Sequence, residues 1–228
     1  MAVLTRKYRP QIFEDVIGQP LAVKILKAVA DKPEDATKCL VLSGAWGTGK
    51  TTLARVFGRA LSCENYKTTG RICMKCDGCM SWSTANNRYI EYDSSMVGNV
   101  NQIRELAPVF DLLTDFYRVI VFDEAHLISR QAQSALLKRI EEGSPKTFFL
   151  LCSTNPDDLL DTIHSRSIPV DFYKINTSVM VEYLNSLYKK ETNTDLEEGI
   201  ADKIAFKADG HVRDAITMLE SFMLTNDK

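Results

Sequence analysis

Long apolar runs are missing from this chain. None approaches the roughly 18 uninterrupted apolar residues of a membrane-crossing helix, and the opening segment Met1-Ala-Val-Leu-Thr-Arg-Lys7 lacks the apolar centre of a secretory signal. The expected compartment is the cytosol. An excess of charge of either sign is missing too: 28 basic and 30 acidic side chains leave a net charge of −2. That balance excludes a protein that grips nucleic acid by bulk positive charge and leaves room for a local basic face. Glycine and proline number only 11 and 7, which excludes collagen-like and low-complexity chains. What remains is 228 residues, 45% hydrophobic and 25% charged, the make-up of a globular protein with one large domain or a large one and a small one.

Cysteine is present but unevenly placed. Cys39 and Cys152 lie in apolar runs and read as small buried side chains, whereas Cys63, Cys73, Cys76 and Cys79 crowd into 17 residues. Such crowding in a reducing compartment argues for a metal rather than for bridges.

Residues 1–38 are polar and open with the basic segment Thr5-Arg-Lys-Tyr-Arg-Pro10. Leu21, Ile25, Leu26 and Val29 then predict one face of an amphipathic helix. Buried strands are predicted at 39–43, 89–92, 119–122 and 148–152, each a short apolar run. Helical spacing recurs between them: Leu53, Val56, Phe57, Ala60 and Leu61; Ile103, Leu106, Val109 and Phe110; Ala132, Ala135, Leu136 and Ile140. This alternation predicts an α/β fold with a mainly parallel sheet covered by helices. From about residue 176 the strands stop and two helical stripes follow, one through Met180, Leu184 and Leu187 and one through Ala215, Leu219 and Phe222. The expected organisation is an α/β domain over 1–175 and a small all-helical domain over 176–228.

The turn after the first strand carries the chemistry. Gly44-Ala45-Trp46-Gly47-Thr48-Gly49-Lys50-Thr51-Thr52 fits the pattern G-x-x-x-x-G-K-[ST] between a predicted strand and a predicted helix. Backbone N–H groups of such a loop curl around phosphate oxygens, Lys50 can reach the β- and γ-phosphates, and the Thr51 hydroxyl can ligate Mg²⁺. The helix that starts here adds the positive end of its dipole. Farther along, the third predicted strand ends in Asp123-Glu124. A carboxylate there can hold Mg²⁺ through water, and its neighbour can polarise an attacking water. The two motifs together read as a nucleoside triphosphatase. Asp123-Glu124-Ala125-His126 also spells a helicase-like tetrapeptide, but the remaining length cannot hold the second lobe that such a helicase needs.

Cys63-x9-Cys73-x2-Cys76-x2-Cys79 offers four thiolates that suit tetrahedral Zn²⁺. An iron–sulfur cluster is the alternative, although the x3-Cys-Pro that follows such spacing in ferredoxins is missing. With four protein ligands and no open position, the role expected of the zinc is structural.

Taken in order, Tyr8-Arg9-Pro10, Ile17-Gly18-Gln19, the phosphate loop, the four-cysteine insertion, Asp-Glu-Ala-His126, Ser134-Ala-Leu-Leu-Lys-x-x-Glu-Glu142, Ser165-Arg166 and Gly210-x-x-Arg213-Asp-Ala215 resemble a known family. The set is similar to the AAA+ ATPase core of bacterial and phage sliding-clamp loaders, of the tau/gamma type in DNA polymerase III. The resemblance covers nearly the whole chain. It implies that Tyr8, Pro10, Ile17 and Gly18 line an adenine pocket, and that Thr154 senses the γ-phosphate or the attacking water. It implies that Arg213, in a lid domain, contacts the same nucleotide, and that Arg166 reaches in trans into a neighbouring subunit's site. Departures are Ser167 after Arg166 and Gly143-Ser144 after Glu142, where the family has Ser-Arg-Cys and Glu-Glu-Pro-Pro.

The implied cofactors are ATP, Mg²⁺ and Zn²⁺. The implied partners are other loader subunits in a ring or spiral, a sliding clamp and primer–template DNA, with Asn101, Gln102, Arg104 and Arg130 as candidate DNA contacts. The family's C-terminal collar is absent up to Lys228, so the expectation is a truncated chain or a differently built assembly. Two competing functions are a structural, non-hydrolysing subunit that donates Arg166, and another AAA+ DNA-remodelling ATPase.

Overall fold

The structure, a computed structural model, describes residues 4–83 and 88–226. Its centre is a five-stranded, all-parallel sheet: β1 (Cys39–Ser43), β2 (Tyr89–Asp93), β3 (Arg118–Asp123), β4 (Thr147–Ser153) and β5 (Ile168–Asp171), in the spatial order β2-β3-β4-β1-β5. β1 and β4 are buried along their whole length, as expected of strands covered on both faces.

Alternation along each strand builds two cores. Leu40 and Leu42 of β1, Val119 and Val121 of β3 and Leu150 and Cys152 of β4 face one side, where they meet Leu26 of α1 (Pro20–Asp31) and Leu53 and Phe57 of α2 (Lys50–Ser62). Val41, Ile120, Phe122, Phe149 and Leu151 face the other side, against Ile103 of α3 (Val100–Glu105) and Leu136 of α4 (Arg130–Glu142). The period of two is that of a pleated strand. Among the described residues only helices follow β5: α5 (Thr177–Thr192), α6 (Ile200–Ala208) and α7 (Val212–Asn226), which bury Met180, Leu184, Leu187, Ala205 and Leu219 in a third cluster that also takes in Leu4 and Ile175.

Three local expectations change. The helix read through Ile103 and Phe110 breaks at Leu106: α3 ends at Glu105, and a separate turn, Ala107–Phe110, holds Pro108 among its first two residues, where a missing N–H breaks no helical bond. On α1 the buried face is Ala22, Leu26, Val29 and Ala30, whereas Leu21 is 55% exposed. The fifth strand was not expected at all. Its Pro169 is tolerated because β5 lies at the sheet edge beside β1.

Candidate nucleotide and metal sites

The strand order sets the site. β1 and β3 flank β4, so the loop after β1, the acids ending β3 and the residues ending β4 meet at one end of the sheet, the carboxyl end where open α/β folds take ligands. The loop's glycines are needed for two different reasons. Gly49, at φ 104°, caps α2 in a left-handed conformation that side chains rarely adopt. Gly44 lies so close to β5's continuation that a Cβ would strike Phe172, whose Cβ would be only 2.9 Å away. Behind the loop, the buried Gln19 amide donates to the carbonyls of Thr48 (3.2 Å) and Tyr173 (2.6 Å), and its oxygen accepts the Tyr173 N–H at 3.2 Å. Nothing in the local sequence around Gln19 signals this brace.

One cavity gathers most of the expected residues: Tyr8, Pro10, Ile17, Trp46, Gly47, Thr48, Gly49, Lys50, Thr51, Thr52, Asp123, Glu124 and Arg213, joined by Tyr183 and Ile216, which sequence reasoning missed. Three others stand behind the wall rather than in it. Gly18 packs on Ile175, and Gly44 and Ala45 turn their carbonyls to Lys50, which donates to them at 2.8 and 3.0 Å. Lys50 is 5% exposed, and burial pulls its pKa down against the opposing pull of Glu124. Burial likewise pushes Asp123 up. The hydroxyl of Thr51 donates to Asp123 Oδ1 at 3.0 Å, about the distance between neighbouring ligands 2.1 Å from a common Mg²⁺. The hydroxyl and the carboxylate are hard oxygen donors of the kind Mg²⁺ takes, whether directly or through its water.

Glu124 holds an unusual backbone, at φ 52° and ψ 49°, a left-handed conformation that costs a non-glycine residue energy and marks functional sites. Its Oε2 accepts the Thr154 hydroxyl at 3.1 Å and lies 3.4 Å from His126 Nδ1, which is itself 3.2 Å from the Ser153 hydroxyl. Thr154 thus reaches the cavity through Glu124. At the far end, the Tyr8 hydroxyl donates to Glu191; burial and that carboxylate push Tyr8 up to about 12.

Arg166 is elsewhere. It is exposed, pairs with Glu141 of α4, and donates to the Thr162 carbonyl at 3.2 Å. Asn101, Arg104 and Arg130 are exposed on the starts and faces of α3 and α4. Gln102 is engaged locally: its oxygen accepts the Asn99 N–H in a capping box and its amide donates to the Met96 carbonyl at 2.6 Å.

Cys63, at the C-terminal end of α2, comes together with Cys73, Cys76 and Cys79, all four sulfurs lying within 4.8 Å of one another. Tetrahedral Zn–S bonds of about 2.3 Å place sulfurs about 3.8 Å apart, and Cys73 and Cys79 are 3.9 Å apart. Backbone N–H groups donate to sulfur from Cys73 to Cys63 and from Cys79 to Cys76, both at 3.4 Å. The donor set fits zinc. Gly78 sits against the carbonyl of Ser62 with no room for a Cβ, which ties the module to the end of α2.

The fold and this cavity define a P-loop nucleotide-binding protein with a carboxylate pair at the end of β3, one strand removed from the loop's own. A profile described as DNA polymerase III, delta subunit, matches residues 18–176; the chain belongs to that family. It is 34% identical over 221 residues to DNA polymerase III subunit tau of Bacillus subtilis (strain 168), covering 95% of this chain and 38% of that protein. It is 33% identical over 228 residues to subunit gamma/tau of Mycoplasma genitalium, covering 99% of this chain and 38% of that one. Protein STICHEL-like 1 of Arabidopsis thaliana matches at 33% over 226 residues, 97% of this chain and 20% of the relative. The chain thus spans about 38% of the length of the bacterial relatives. Among solved structures, the RuvB Holliday junction branch migration motor of Thermotoga maritima aligns with TM-score 0.71 at 20% identity, over 96% of this chain and 66% of that one. That likeness speaks for the AAA+ fold alone. No helix of the described residues is long and apolar enough to cross a membrane.

Proposed function

We propose that this chain is the ATP-hydrolysing core of a sliding-clamp-loader subunit in a bacterial or phage DNA polymerase holoenzyme, acting in the cytosol. The observation that carries the reading is the single cavity in which Lys50, Thr51, Asp123, Glu124 and Arg213 converge in a chain of this family. Lys50 turns from the carbonyls of Gly44 and Ala45 to the β- and γ-phosphates, where its charge offsets theirs. Thr51 and Asp123 hold Mg²⁺, which neutralises charge on the transferring phosphoryl group when bound. Glu124 polarises the attacking water, and Thr154 orients Glu124 through its 3.1 Å hydrogen bond.

Residues 1–175 form the nucleotide-binding domain and 176–228 a lid that carries Arg213 to the phosphates. Arg166, exposed and turned away from its own cavity, serves a neighbouring subunit as an arginine finger. A single Zn²⁺ held by Cys63, Cys73, Cys76 and Cys79 is structural, because four protein thiolates leave no open position. ATP binding closes an assembly of such subunits on the clamp and primed DNA, with Asn101, Arg104 and Arg130 toward the phosphates, and hydrolysis releases both.

The test is a pull-down against a purified sliding clamp, with and without a non-hydrolysable ATP analogue, using the chain assembled with its partner subunits. Capture that requires the analogue supports the reading. Capture that ignores nucleotide, or no capture in either condition, contradicts it.

A further inference from the structure

His211 joins the C-terminal helices to the phosphate loop. The residue is 9% exposed, and its Nδ1 lies 2.8 Å from the backbone oxygen of Trp46, a partner 165 residues away. A carbonyl oxygen can only accept, so Nδ1 carries the proton and donates it. The ring also lies against the Trp46 indole, with centroids 4.6 Å apart at 35°. Trp46 is otherwise 53% exposed, so His211 is the face on which it rests.

Peptide geometry gives this contact a consequence. In a trans peptide the C=O of one residue and the N–H of the next point in opposite directions. By holding the Trp46 carbonyl, His211 fixes this peptide plane and with it the direction of the Gly47 N–H, and Gly47 lines the cavity. On its other side His211 immediately precedes α7, whose first turn holds Arg213. The approach is fixed from behind by the Ile175 N–H, which donates to the Gly210 carbonyl at 3.1 Å. His211 is not among the cavity-lining residues, yet it sets two groups that are.

We propose that His211 is a positioning residue for the nucleotide's phosphates: its Nδ1–H bond to Trp46 presents the Gly47 N–H and holds Arg213 at the mouth of the loop. The inference rests on the ATP-binding reading above. Because Trp46 is seated on His211, its indole also reports whether the loop is filled.

Three variants separate the hydrogen bond from the ring contact. His211→Asn keeps a donor at the place of Nδ1 and loses the aromatic face; His211→Phe keeps the face and loses the donor; His211→Ala loses both. ATP affinity is measured by titration, together with the Trp46 fluorescence change in a Trp82→Phe background. His211→Ala and His211→Phe should each bind ATP roughly 3- to 10-fold more weakly, the worth of one hydrogen bond, and His211→Asn should recover most of that loss. In an Arg213→Ala background the His211→Ala effect should shrink, because one of the groups it positions is gone. If His211→Ala does not fold, the Asn and Phe variants alone decide. Equal affinity of Asn and Phe, or recovery by Phe rather than Asn, overturns the inference while ATP binding by the wild-type chain still stands. Absence of ATP binding by the wild-type chain overturns the nucleotide reading and this inference together.

Discussion

Stripping metal from the cysteine cluster should cost the fold its stability while leaving the nucleotide site largely competent. The segment from Cys63 to Trp82 contributes Tyr66 (2% exposed) and Ile72 (7%) to the same core that holds Leu53 and Phe57 of the phosphate-loop helix. With the sulfurs no longer tied together, those side chains have little to hold them in place. Burial of each is worth about 1.5–3 kcal/mol, so about 3–6 kcal/mol is at stake, against a total margin of about 5–15 kcal/mol for a domain. At about 2–4 °C per kcal/mol for a chain of this size, the melting midpoint should fall on the order of 10–20 °C. The assay is a thermal melt before and after chelation, with elemental analysis of the same samples. Cys76→Ala should mimic chelation, since three thiolates hold the ion less tightly. Turnover measured well below the lowered midpoint should change far less than stability, because Lys50 opens α2 and Cys63 follows its other end. An unmoved midpoint after zinc is shown to have left, iron in place of zinc, or no metal in freshly reduced protein refutes the reasoning.

Two further outcomes follow from the site. Arg166→Ala should leave folding and ATP affinity nearly unchanged, since its pair with Glu141 is exposed and such pairs are worth little, yet should remove about 10³–10⁵-fold of the turnover stimulated by assembly. Mixing it with Glu124→Gln should restore part of that rate, and failure to do so in demonstrably mixed assemblies counts against action in trans. Burial raises the pKa of Asp123, so its ionised form opposes folding: the cost is absent below the ordinary aspartate pKa and complete above the raised one. Asp123→Asn should therefore melt higher than wild type near neutral pH and alike at about pH 3.5, while Mg²⁺-dependent hydrolysis is lost. A gain that persists undiminished in acid would show that burial of the charge is not its source.

How much was legible depended on whether the deciding contacts are local. β1, β3 and β4 announce themselves as apolar runs because both their faces are covered, while β2, a half-buried edge strand, shows through Tyr89, Ile90 and Tyr92. β5 does not, since an edge strand of four residues with Pro169 and Asp171 presents little apolar signal. The phosphate loop is readable because its glycines and Lys50 act through adjacent backbone. The Glu124–Thr154–His126–Ser153 network is not, because it forms only when β3 and β4 lie side by side. The same holds for His211 against Trp46 and for Gln19 against Tyr173, which pair across 165 and 154 residues. Leu21 was misplaced on α1 because the small side chains of Ala22 and Ala30, not the larger one, meet the sheet side.

The central claim is that this cavity binds ATP and hydrolyses it through Glu124. The most direct test measures ATP affinity and turnover in parallel for the wild-type chain, Lys50→Ala and Glu124→Gln, in the presence of Mg²⁺ and the assembled partners. The account predicts binding and turnover by the wild type, no detectable binding by Lys50→Ala, and intact binding with turnover reduced by at least about 10²-fold in Glu124→Gln. Undiminished ATP affinity in Lys50→Ala, or undiminished hydrolysis in Glu124→Gln, would contradict it.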